Sequence, residues 1–323
     1  MKKNKLKYSV IGTSWITKSF IEGASLVPEL ELYGVYSRTG EKGSVFAAET
    51  GAAAVFTSLE ALAASDSDFI YVASPNSCHY EQCAFLLSHG KNVICEKPIT
   101  VTAAEFRELS ALAEKNGVIY FEAIMYMHTP ARAVLKSALE KLGVISSVQL
   151  DYSQLSSKYP ALKRGELPNI FNPVMKTGAL NDLGVYCVYP MLDLFGRPEK
   201  TVRSQFKLKT GADGSGGALF NYDDKFISIT YSKTGQSRLG SQILGDEGTV
   251  TIESISQLTG VKLYDNEGNC TLLVDECEKK YLMRNEAQSM VNFITDFDKY
   301  RDFYGECTEM SEKVLECMEQ MRV

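Results

Sequence analysis

Two short stretches of the chain carry reactive side chains where ordinary surface design would not put them. The first is Glu96-Lys97-Pro98, directly after the apolar run NVIC at 92–95. Proline restricts the residue before it to extended backbone, so the lysine leaves the end of a buried strand on a rigid kink. A surface salt bridge is the other reading of such a pair. The second is Asp182 with Tyr186, four residues apart and on one face if the segment 178–196 is helical. A lone tyrosine on such a helix is more often core. A free phenol, with a pKa of roughly 10, matches neutral pH poorly. A neighbouring ammonium stabilises the phenolate and lowers that value. Lys97 with Tyr186 thus makes an acid/base unit, with Asp182 as an orienting or charge-setting third member. Hydride transfer to a carbonyl is a reaction that needs one, because the alkoxide must take a proton as it forms.

A carrier for that hydride has a place at VIGTSWITKSF, residues 10–20. Here an apolar strand end meets Gly12 and then a helical pattern, which is where a dinucleotide loop of the form G-x-G-x-x-G belongs. Only Gly12 of the three glycines is present; Ser14 and Thr17 hold the other positions, with the single tryptophan, Trp15, between them. A strand–loop–helix start aims free backbone N–H groups at one point and suits a pyrophosphate. Gly12, Thr13, Ser14, Trp15 and Ile16 are therefore candidate cofactor contacts, against the plainer reading of a turn with no ligand. The second strand ends in Ser37-Arg38-Thr39, with no acid before Glu41 to take a ribose hydroxyl. A hydroxyl and a guanidinium suit a 2′-phosphate, and Lys42 adds charge, so NADP(H) stands ahead of NAD(H). An arginine on a solvated loop is the common alternative. Ser74-Pro75-Asn76 ends the strand FIYVAS at the carboxyl edge where ligands bind such sheets. These residues are candidates for the nicotinamide half, with His79 one turn on as a neighbour and Asn76 also a plausible helix cap. Glu96 and Lys97 emerge at the same edge.

The elements that must position these residues fall into two textures. Over 1–122, strand-like runs at 7–11, 31–37, 69–74, 92–95 and 118–123 alternate with helix-like stretches at 15–27, 41–50, 58–64, 77–90 and 102–116. Apolar strands separated by amphipathic helices predict a parallel sheet covered on both faces, with right-handed crossovers: a doubly wound α/β domain. Beyond residue 143 the runs 146–155, 201–210, 217–233, 239–254 and 260–266 alternate polar and apolar residues, with turn chemistry at Asp223-Asp224 and at 266–268. That predicts an α+β domain over 123–323 on a largely antiparallel, open sheet. Two helices, near 286–303 and 309–321, close the chain, the last free to pack back on the first domain. At 323 residues two domains are expected. A net charge of −6 without an extended basic cluster argues against nucleic acid. No apolar run reaches the ~18 residues of a membrane span. The basic start precedes an apolar run too short for a secretion signal. Eight scattered cysteines with no CxxC pair read as reduced thiols in a cytoplasmic protein. Cys78, His79 and Cys83 lack a second ligand pair, so no metal is expected.

Taken together, AVFTSLEALAASDSDFIYVASPNSCHYEQC (54–83), GKNVICEKP (90–98) and TGALNDLGVYCV (177–188) resemble the glucose-fructose oxidoreductase / inositol dehydrogenase family of nicotinamide-dependent enzymes. FEAIMYMHTPA (121–131) resembles the interdomain segment of that family's dihydrodiol dehydrogenase branch. The resemblance implies a Rossmann domain followed by a domain whose open sheet serves for homo-oligomers, dimer or tetramer. It puts the family lysine, usually before a cis proline, at Lys97 and the proton donor at Tyr186. Inositol dehydrogenases carry histidine there, which argues against a straightforward inositol dehydrogenase. The family's GGGAL appears as KTGAL, keeping Gly178, and Ser14 and Thr17 depart from the usual loop. The implied activity is an NADP(H)-preferring oxidoreductase acting on a secondary alcohol or carbonyl of a sugar, polyol or trans-diol. The alternative is a catalytically silent nucleotide sensor; retention of Lys97 and Tyr186 favours the enzyme. The loop at 156–173, with Arg164 and Asn169, and Tyr126 or His128 would neighbour the substrate.

Overall fold

Strands that are apolar throughout need cover on both faces, and the first part of the chain is built that way. In a computed structural model that describes residues 5–322, β1 (Leu6–Ile11), β2 (Leu30–Tyr36), β3 (Ala54–Phe56), β4 (Phe69–Val72), β5 (Asn92–Glu96) and β6 (Tyr120–Ala123) form one parallel sheet. Its order is β3-β2-β1-β4-β5-β6. Helices α1 (Trp15–Ala24), α2 (Gly40–Thr50), α3 (Leu59–Ala63), α4 (Asn76–Ser88) and α5 (Ala103–Asn116) make the crossovers, and α6 (Met125–His128) follows the last strand. The order reverses between β1 and β4, so the crevice for a ligand lies at their carboxyl ends. Val10, Phe69, Ile70, Val72, Val93 and Ile94 are wholly buried, and Phe20 of α1 stacks on Tyr71 with ring centroids 3.8 Å apart. The edge strand β3 was not among the expected strands. The basic start at residues 1–4 lies outside the described residues.

The next stretch holds α7 (Ala131–Leu139), β7 (Ile145–Ser153), α8 (Tyr159–Lys163), a π-helical turn at Leu180–Gly184 and α9 (Val185–Phe195). Seven strands follow: β8 (Lys200–Lys207), β9 (Asp213–Asn221), β10 (Phe226–Ser232), β11 (Ser241–Gly245), β12 (Gly248–Ser254), β13 (Thr259–Asp265) and β14 (Cys270–Val274). The sheet runs β14-β13-β12-β11-β7-β10-β9-β8, and among the described strands only β7 and β10 pair in parallel. One face is core: Val148, Leu150, Ile227, Ile229, Ile243, Val250 and Val261 are buried, as is every residue of α9 from Val185 to Leu192. On the other face, register places Val202, Leu219, Ser228, Gln149, Gln242, Thr251, Lys262 and Leu272 in one row across all eight strands. Val202, Leu219 and Leu272 in that row are about half exposed.

The chain ends in α10 (Lys279–Thr295) and α11 (Phe297–Met321). The break between them falls at Asp296, not in the gap near 304–308 that the sequence suggested. Two compact units result, one of residues up to His128 with Glu278–Glu312, the other of Thr129–Cys277 with the residues from Lys313. The first unit is thus discontinuous in sequence, where a division at 122/123 would make it continuous.

Candidate active site

At the carboxyl edge of the first sheet, Gly12 has φ +107°, and a Cβ there would lie 2.5 Å from the carbonyl oxygen of Ala73. Only glycine fits, which explains why this one of the three motif glycines is present. Ser14 is the N-cap of α1 by backbone conformation, but its hydroxyl makes no capping hydrogen bond to the helix. It lies 3.4 Å from the Thr17 hydroxyl, and Thr17 is wholly buried. The first amides of α1 thus have no side-chain cap, the state in which a helix start accepts an anion. Trp15 is exposed, and the Lys279 ammonium of α10 sits 4.3 Å from its ring centroid. Ser37 is buried and Arg38 exposed. Beside them, Thr13, Lys18, Glu41, Lys42, Val45, Phe46 and Glu49 line a hollow of about 330 Å³, with Lys18 paired to Glu49 at 2.6 Å. The residues present fit a dinucleotide.

The stretch after β5 is braced from behind. The Lys97–Pro98 bond is cis. Glu96, buried, accepts from the Tyr71 hydroxyl at 2.5 Å and from the Lys97 amide at 3.2 Å. The Ile99 amide donates to Glu122 at 2.8 Å. His79 is buried with both ring nitrogens against carbonyl oxygens, Nδ1 3.0 Å from that of Pro98 and Nε2 2.9 Å from that of Ser74. It sits between the ends of β4 and β5, and burial pushes its pKa down while the two carbonyls oppose that shift. Asn76 is not the cap of α4; the cap position is Pro75 and Asn76 is the first helical residue. Ser74 donates to Gln82 at 2.7 Å. His79 is thus spent on carbonyls and Cys83 is buried against Cys95, so the Cys78/His79/Cys83 trio does not converge.

Behind this edge lies an acid the sequence reading missed. Glu286 of α10 is 1% exposed, and its Oε2 has no hydrogen-bond partner. Burial, then the nearby Glu96 carboxylate, raises its pKa well above the ordinary carboxylate range. Burial also raises that of Glu96, with Lys97 opposing.

Asp182 and Tyr186 belong to the second unit, Lys97 to the first. Asp182 rides the π-helical turn, Tyr186 the first turn of α9, and Tyr186 meets the Tyr152 ring edge-on at 5.4 Å. Gly178, the surviving glycine of KTGAL, has φ +136°, and a Cβ on it would run into the Asp213 carboxylate. That carboxylate accepts from the Leu180 amide at 2.7 Å and so anchors the turn. Asp182 itself is paired at 2.6 Å with Lys233, a residue the sequence reading passed over. The signal was there: Ile227, Ile229 and Tyr231 alternate inward, and Lys233 continues that row past the end of β10. Of the expected substrate neighbours, Arg164 is paired with Glu166 at 2.8 Å, Tyr126 is buried and His128 bonds Ser289 at 2.9 Å.

Comparison with known proteins agrees with this architecture. Residues 6–124 match the GFO_IDH_MocA model, an oxidoreductase family with an NAD-binding Rossmann fold. The chain is 36% identical to scyllo-inositol 2-dehydrogenase (NADP(+)) IolU of Bacillus subtilis, over 90% of its own length and 89% of that protein's. It is 28% identical to the trans-1,2-dihydrobenzene-1,2-diol dehydrogenase of Xenopus tropicalis, over 77% and 75%. The structure of KijD10, a 3-ketoreductase of Actinomadura kijaniata, with TDP-benzene and NADP in its open conformation, superposes with a TM-score of 0.83. That match covers 99% of this chain and 98% of the other at 19% identity, and establishes the shared two-domain fold. With a nucleotide loop that demands glycine at Gly12, a braced lysine after β5 and a relative this close along nearly its whole length, the chain belongs to the GFO_IDH_MocA family of nicotinamide-dependent oxidoreductases.

Proposed function

We propose that the protein transfers a hydride between NADP(H) and a secondary alcohol or carbonyl of a sugar, polyol or trans-diol, with Lys97 and Tyr186 as its acid/base unit. The observation that carries this is the bracing of the segment at Lys97: a buried Glu96 that accepts from the Tyr71 hydroxyl and the Lys97 amide, the Ile99 amide on Glu122, and His79 against the Pro98 carbonyl. A solvated surface lysine has no need of such a supporting shell.

The residues that would hold the cofactor are Gly12, Thr13, Ser14, Trp15 and Ile16 at the pyrophosphate, Ser37 and Arg38 at the 2′-phosphate, and Ser74, Pro75 and Asn76 at the nicotinamide half. Nicotinamide, when bound, supplies or accepts the hydride. Tyr186 gives its proton to the oxygen of the carbonyl as that carbon is reduced, and takes it back in the oxidative direction. Lys97 stabilises the phenolate that remains, and Asp182 sets the charge around it. His79 and Glu96 support Lys97 from behind. Arg38 with no acid nearby on β2 supports NADP(H), and so does the name of IolU. The relative's name also keeps inositols on the substrate list. Eight free cysteines fit a reducing, cytoplasmic setting. The open face of the second sheet, mixed polar and apolar with Val202, Leu219 and Leu272 about half exposed, fits a second copy of the chain.

The test is Lys97→Ala, assayed by nicotinamide absorbance against a panel of scyllo-inositol, sugars and trans-diols. Turnover should fall by about 10²–10⁴, with NADPH affinity, followed by Trp15 fluorescence, changed less than about tenfold. Unchanged turnover refutes the assignment.

A further inference from the structure

Lys233 is the first residue past β10, and its side chain is 1% exposed while that of its partner Asp182 is 33% exposed. Its backbone is held on both sides. The Lys233 amide donates to the Gly214 carbonyl at 2.8 Å, and its carbonyl accepts from the Ser156 amide at 3.0 Å. The ammonium acts on two carboxylates: it pairs with Asp182 at 2.6 Å, and it offsets part of the burial that pushes up the Asp213 carboxyl. Asp213 anchors the start of the π-helical turn through the Leu180 amide, and Asp182 is carried on that turn, four residues before Tyr186.

Burying an ammonium is expensive, and for stability alone an apolar residue of the same length serves as well or better. The unequal exposure also gives a direction. The Lys233 backbone is tied at the sheet end and its side chain is buried, so the lysine is the anchored member of the pair and the partly exposed aspartate the one held. A π-helical turn, itself uncommon and concentrated at functional sites, gives the held residue its place.

We propose that Lys233 is a positioning residue for the reaction: by clamping Asp182 to the end of β10, it fixes the carboxylate that sets the surroundings of the Tyr186 phenol during proton transfer. This rests on Tyr186 being the proton donor.

The experiment compares Lys233→Met, Lys233→Arg, Asp182→Asn and the Lys233→Met/Asp182→Asn double variant in the full-length enzyme. NADP+ and the best-used member of a panel of scyllo-inositol, glucose, xylose and trans-cyclohexane-1,2-diol serve as substrates. Lys233→Met should lower kcat by about 30-fold or more while leaving the KM for NADP+ within about twofold, and Lys233→Arg should recover most of the loss. Because Lys233 acts through Asp182, the double variant should be no worse than the poorer single by more than about threefold. A folded Lys233→Met enzyme with kcat within about threefold of the parent overturns the proposal, as does a double variant that loses the product of the two single effects. Should Lys233→Met not fold, as judged by circular dichroism, Lys233→Gln takes its place under the same criteria. Tyr186→Phe separates the two ideas. Retained turnover there removes the proton-donor assignment, whereas lost turnover there with normal kcat in Lys233→Met removes only the clamp.

Discussion

The nucleotide edge of the first unit buries three carboxyl groups, Glu96, Glu122 and Glu286 at 8%, 3% and 1% exposure, whereas the reactive turn of the second buries a lysine beside two aspartates. Around the acids, burial raises the pKa of Glu96 and Glu286, and for Glu286 the neighbouring Glu96 and Glu122 carboxylates add to it. Glu96 serves there as a fixed acceptor for the Tyr71 hydroxyl. The second unit keeps opposite charges in contact, Lys233 with Asp182. The sheets differ as well: one is covered on both faces, the other leaves an open face on which Val202, Leu219 and Leu272 are about half exposed. One unit is built to hold a shape, the other to hold a charge and present a surface.

That contrast can be broken most sharply at Arg38. If the first unit governs the cofactor and nothing else, Arg38→Ala should raise the KM for NADPH by about 10-fold or more, the cost of one charge-assisted phosphate contact, while kinetics with NADH stay nearly unchanged. Equal effects on both cofactors would remove the 2′-phosphate role. A smaller, twofold change is expected from the surface. Val202→Glu with Leu219→Glu puts like charges directly opposite one another on the open face, and light scattering should then show the solution mass halved from dimer to monomer. A parent that is itself monomeric would sink that assembly. The smallest effect is thermal. Glu286→Gln should raise the melting temperature at neutral pH by roughly 2–4 °C, as a gain near 1 kcal/mol does in a chain of this size class. The sign follows from the raised carboxyl. A group whose folded pKa lies above its unfolded value, ordinarily about 4.3, gives stability that is full below that value and is lost as pH rises through the folded one. The advantage of glutamine should therefore vanish below about pH 4 and grow as the pH is raised. A constant offset across that range would show that packing, not ionisation, is at work.

Much of this could be read from residue types. Five of the six strands in the first sheet, the lysine before its proline and the Asp182/Tyr186 spacing all follow from apolar runs and local rules. β3 escaped because three residues, Ala54–Phe56, with half-buried side chains at the sheet edge carry too little pattern. β14 escaped because the first three of its five residues are exposed, so no buried face marks it. The closing helices were misplaced because α10 buries Glu286 and Ser289 on its inner face, which blurs the apolar period. Lys233 and Glu286 were passed over for a shared reason. A charged residue is expected to face water, and only tertiary neighbours reveal the two that do not. Asn76 shows the opposite error, a local preference for capping overridden when Pro75 took the position.

The return of the chain to its first unit has a consequence in time. α10 packs on α1, and Glu278–Glu312 belong with the sheet laid down by residues up to Ala123. During synthesis the nucleotide-binding half therefore cannot be finished when its own strands emerge; it waits for Thr129–Cys277 to be made and for Glu278–Glu312 to follow. Until then α1 lacks the cover of α10 and Trp15 lacks the Lys279 ammonium above it. A nascent or truncated chain ending before residue 278 carries the whole Gly12 loop and yet leaves open the flank of α1 that α10 covers.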